Sequence, residues 1–61
     1  MFHISDLIAL IKQRQSEIAK SLANGNAPTW EAYQRLVGEY TGLEKALTSI
    51  DQLLEDAKNV E

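Results

Sequence analysis

The fold class that this sequence predicts is all-α, an antiparallel two-helix hairpin with a long second helix, and three observations carry it. First, Tyr33, Tyr40, Leu47 and Leu54 repeat every seven residues, and so do Leu36, Leu43, Ile50 and Ala57. Offset by three, the two series are the a and d positions of a heptad, which one helix turns into a continuous seam. Second, Ile4, Leu7, Ile8, Ile11, Ile18 and Leu22 fit a 3.6-residue period upstream. Third, Asn24, Gly25, Asn26 and Pro28 form a cluster of breakers between the two periodic stretches.

Helix one is expected over about 5–24, with Ser5 as N-cap and Asp6 in the first turn, where a carboxylate favours the positive end of the helix dipole. Arg14 and Gln15 interrupt its apolar stripe. Either their side chains cross the edge of the seam and reach water, or one makes a buried polar contact that fixes the helix register; the first is the expectation. A turn over 25–29 follows, because glycine adopts the left-handed conformation that ends a helix without a Cβ penalty and Pro28 delays the next one. Thr29 is a good N-cap for helix two, over about 30–58, with Glu31 in its first turn. So short a link makes the helices antiparallel neighbours.

Pairing outward from the turn sets Leu22 by Tyr33, Ile18 by Leu36 and Val37, Ile11 by Leu43, Ile8 by Leu47 and Ile4 by Ile50. Met1 and Phe2 can reach only the start of what lies beyond, and Trp30 is expected to close the hairpin end against Leu22. Helix two outruns its mate, so Leu53, Leu54, Ala57 and Val60 project on an overhang. A large apolar side chain left in water forfeits about 1.5–3 kcal/mol, so these residues call for a partner.

Composition narrows the means of stabilisation. A chain of 61 residues is one domain at most and buries little apolar surface. It has no cysteine for disulfides, and a lone His3 supplies no zinc set. Oligomerisation or docking on a larger subunit is left. The net charge is −3. Up to Ser49, Asp6, Glu17, Glu31, Glu39 and Glu44 balance Lys12, Arg14, Lys20, Arg35 and Lys45, whereas Asp51, Glu55, Asp56 and Glu61 then face only Lys58. With no basic patch, nucleic acid is not the expected ligand. The longest apolar run, Leu7 to Ile11, is far short of the roughly 18–20 residues of a membrane span, and the start lacks the features of a signal peptide.

No catalytic constellation stands out, so no enzyme, no cofactor, no metal and no small-molecule substrate are expected. His3, Ser5 and Asp6 are triad residue types, but helix capping accounts for Ser5 and Asp6 and no oxyanion loop accompanies them. Two helices are expected to offer no concavity large enough for a substrate. Gly38, Gly42 and Ala46, spaced by four, are the unusual feature, since a glycine inside a helix costs about 0.5–1 kcal/mol against alanine. Close approach of a neighbouring helix would offset that cost, and the neighbour could be helix one or a second chain. The expected interface is therefore Tyr33, Leu36, Gly38, Tyr40, Gly42, Leu43, Ala46, Leu47, Ile50, Leu53, Leu54 and Ala57.

The run from Leu22 to Leu54 resembles a group of short proteins of tailed bacteriophages, through Gly25, Asn26, Tyr33, Arg35, Leu36, Gly38, Gly42, Leu43, Ile50, Asp51 and Leu53. Pro28 and Thr29 depart from the acidic or lysine-rich link of that group, and Tyr40 stands where it has an aliphatic residue. The resemblance implies a virion structural or assembly protein bound to capsid, portal or core, located in the virion or the host cytoplasm. The alternative is a free homodimeric four-helix bundle acting as a regulator or host inhibitor through protein binding.

Overall fold

The structure is a computed structural model that describes residues 3–58. The sequence's two periodic stretches form two helices, α1 (Ile4–Ala23) and α2 (Trp30–Lys58), packed on each other as a hairpin. Met1, Phe2 and Val60, to which the sequence assigns contacts on the overhang, lie outside the described residues.

The start of α1 corrects one expectation. His3, not Ser5, is the N-cap: its N–H donates to the Asp6 carboxylate at 2.9 Å, and the Asp6 N–H donates to the His3 carbonyl at 2.8 Å. Asp6 thus acts as the third helical residue of a capping box, reaching back to an otherwise unpaired donor. At the other end Gly25 has φ 72°, and two bonds cross it. The Asn26 N–H donates to the Ser21 carbonyl at 2.9 Å and the Gly25 N–H to the Leu22 carbonyl at 3.2 Å. That is a Schellman stop, and glycine takes its left-handed position without the backbone strain that a side chain brings there. Thr29 then caps α2, its hydroxyl accepting from the Ala32 N–H at 3.1 Å.

Cross-helix bonds set the register. Arg14 pairs with Glu39, and the Gln15 amide donates to the Tyr40 carbonyl at 3.4 Å. In that register Ile18 stands level with Leu36 and Val37, and Ile11 with Leu43, as the pairing from the turn predicts. Ile18, 1% exposed, is the one buried apolar side chain among the described residues. Around it Ile8, Ile11, Leu22, Leu36, Leu43, Leu47 and Ile50 are only half-buried. Two helices shield a side chain from two directions only, so the core is a line of contact and not an enclosed volume.

The shape follows. Extents of 51 × 21 × 16 Å and a radius of gyration of 14.7 Å describe a rod, where a compact chain of this length would have a radius near 10.5 Å. No helix among the described residues is long and apolar enough to cross a membrane.

Candidate protein interface

Taking Leu36 as the direction from α2 toward α1, a turn of about 100° per residue places Ala32, Tyr40, Leu43, Leu47, Ile50 and Leu54 within about 40° of it. Of these the hairpin half-buries Ala32, Leu43, Leu47 and Ile50, with Val37 and Ala46 at the edges, while Tyr40 and Leu54 stay exposed. Of the heptad seam α1 thus takes Leu36, Leu43, Leu47 and Ile50, and Tyr33, Tyr40, Leu54 and Ala57 are left exposed.

Each flank of that seam is built differently. On one side Arg14 of α1 clamps Glu39 of α2 with two parallel bonds, Nε to Oε2 at 2.5 Å and Nη2 to Oε1 at 2.9 Å, and lies 3.5 Å from Glu17. Hydrogen bonding to Glu39, then the charge of Glu39, holds the Arg14 guanidinium above its ordinary pKa, and hydrogen bonding from Arg14 holds the Glu39 carboxyl below its own. The pair is largely exposed, so it fixes geometry more than it adds stability.

On the other side the helices leave an apolar groove of about 290 Å³ lined by Ala19, Leu22, Val37 and Tyr40. It is a shallow, open concavity, below the roughly 300–1,000 Å³ of small-molecule sites. The small side chain of Ala19 opens it, and of its lining only the Tyr40 hydroxyl can exchange a proton, so it has no acid–base pair with which to do chemistry. Tyr33 lies toward the turn along this flank and Trp30 stacks on it, ring centroids 5.5 Å apart. Trp30 is 65% exposed, so it does not close the hairpin against Leu22. As the first residue of α2 it falls about 120° from the seam, which points it outward.

Gln15 stands at the far end of the groove and is 7% exposed. Its amide donates to Glu44 Oε1 at 2.8 Å in addition to the Tyr40 carbonyl. The buried polar contact is thus the correct reading of the break in the α1 stripe; only Arg14 reaches water. Nothing in α1 alone signals it, because the partner lies 29 residues downstream.

The remaining predicted interface residues separate into two sets. Gly38 and Gly42 are exposed, and a Cβ built on either meets nothing within 4 Å. The glycine row therefore receives no helix within the hairpin. Leu53, Leu54 and Ala57 are exposed on the overhang, Leu53 by 69%. Among the described residues no three of His, Cys, Asp or Glu gather as metal ligands.

Compared with known protein families, curated proteins and solved structures, the chain matches none.

Proposed function

We propose that this chain is a non-enzymatic association module, a helical hairpin that works by docking its uncovered faces on other polypeptide. The observation that carries the reading is area. A folded monomer of 6.8 kDa exposes about 4,000 Å² by the scaling of compact proteins. This chain exposes 4956 Å². The surplus of about 1,000 Å² exceeds the roughly 800 Å² each partner contributes to a stable interface. Leu10, Trp30, Tyr33 and Leu53 are among the large apolar side chains left exposed, and these favour burial.

The setting we propose is the virion-assembly apparatus of a tailed bacteriophage, where the hairpin would attach to capsid, portal or core subunits. Support for the setting comes from the Leu22–Leu54 resemblance alone. Quantitative mass spectrometry of purified virions from a phage encoding the chain tests it: a fixed stoichiometry supports a structural subunit, and absence from the particle overturns the virion reading in favour of a free regulator or host inhibitor.

A further inference from the structure

We infer that the first partner of this hairpin is a second copy of itself, seated groove to groove on the flank formed by Ala19, Leu22, Trp30, Tyr33, Val37 and Tyr40. The inference rests on reading the chain as an association module and adds to it an occupant and a face.

The choice of face begins with the distribution of exposed aromatic surface. Trp30, Tyr33 and Tyr40 are the only aromatic side chains among the described residues, they are 65%, 44% and 38% exposed, and all three lie on the groove side of the seam. Large, stiff aromatics that present apolar area at little entropic loss are the residues that dominate binding hot spots. The opposite flank is unlike this. It is crossed by the Arg14–Glu39 clamp, and its exposed leucines, Leu10 and Leu53, stand about 12 Å apart along the axis in the observed register.

The occupant follows from charge and area. Between Trp30 and Tyr40 every charged residue of α2, namely Glu31, Arg35 and Glu39, falls on the other side of the helix, and Ala19 and Leu22 contribute none from α1. A strongly charged partner would find only Glu44 there, at the groove's far end and already bonded to Gln15. The groove's one buried polar neighbour, Gln15, is already bonded to Glu44 and Tyr40, and the donors the flank itself carries, the Trp30 indole N–H and the Tyr33 and Tyr40 hydroxyls, belong to exposed rings whose polar edges stay at the rim or bond across the dimer. A two-fold axis brings a patch onto itself, and an uncharged, apolar patch is complementary to its own copy. Two hairpins joined this way make a four-helix bundle whose second seam is Trp30, Tyr33, Val37 and Tyr40, again at heptad spacing. A stable dimer needs about 800 Å² per copy, against a surplus of about 1,000 Å² counted over the whole chain, so the contact extends past the groove lining along the same flank of both helices.

The full chain contains one tryptophan, so Trp30 reports on the face directly. Sedimentation velocity across a dilution series should give twice the chain mass at the higher concentrations. Over the same series, Trp30 emission should move to the blue and become protected from acrylamide as the dimer forms. Tyr40→Glu, which places a charge at the centre of the groove, should raise the dissociation constant by about 100-fold. Leu10→Glu, on the opposite flank, should leave it unchanged. A dimer that survives Tyr40→Glu but dissociates with Leu10→Glu would overturn the assigned face and leave association intact. A dimer in which Trp30 stays fully quenchable would do the same without any variant. A single-chain mass at every concentration would overturn the second copy as occupant, while the virion test above would still decide the wider reading.

Discussion

Replacing Ile18 by alanine tests whether the hairpin has the core described. The side chain is 1% exposed, and its truncation removes three carbons from contact with both helices. At about 0.8 kcal/mol per buried methylene the transfer loss is about 2.4 kcal/mol. The half-buried neighbours can close on the space, so the cavity adds little and the total falls at about 2.5–3 kcal/mol, low in the range for such truncations. Domains of this size have about 3–9 kcal/mol in all, so the variant forfeits a large share of its stability. Urea unfolding followed by far-ultraviolet circular dichroism measures it, with all proteins at one concentration because association adds to apparent stability. Leu10→Ala is the control: at 63% exposed on the same helix, it should change stability by under about 0.5 kcal/mol. Equal losses in the two variants would refute a core centred on Ile18.

Gln15→Leu should unfold within about 1 kcal/mol of wild type, because the apolar replacement strands only the exposed Glu44 carboxylate, which water can take up; a loss above 2 kcal/mol in the same urea assay would make the cross-helix bond a main stabiliser. Gly38→Ala and Gly42→Ala should each stabilise by about 0.5–1 kcal/mol, since both sites are open to a Cβ; weakened association in sedimentation would instead reveal a partner helix on that row. Truncation after Ile50 should leave the melting of the hairpin nearly unchanged, because 51–58 is exposed throughout, and a collapse of helicity would mean the overhang is integral to the fold. The Glu39 pKa is held below its ordinary 4.5, so its pairing with Arg14 stabilises the fold above that value and the contribution disappears as pH falls through the lower folded value. Acid titration of Glu39→Gln beside wild type should therefore show the wild-type advantage vanishing below pH 4.5.

The sequence was most informative where one helix or one turn decides the outcome. The Asn24-Gly25-Asn26 stop and the Thr29 cap are local hydrogen-bonding problems with few solutions, and the helix register followed from the short link between them. Prediction failed where two answers were locally acceptable. Ser5 is the better capping residue by type, yet Asp6 bonds three residues back, and that displaced the cap to His3. The heptad seam of α2 showed which residues are apolar but not how two flanks divide the exposed ones. Gln15 needed Glu44 and the groove needed Ala19, and each pairing exists only once two distant segments are side by side. The interface itself was least legible, because periodicity marks apolar faces without saying which of them the chain covers for itself. Within the hairpin α1 takes Leu36, Leu43, Leu47 and Ile50, leaving the aromatic flank and the overhang uncovered.

Small-angle X-ray scattering from the wild-type chain, extrapolated through a dilution series, measures that uncovered surface by its consequence. If other polypeptide must cover it and a second copy is at hand, the forward intensity will report twice 6.8 kDa at the higher concentrations. A mass of 6.8 kDa with a radius of gyration near 14.7 Å at every concentration would show the hairpin standing alone and contradict the account.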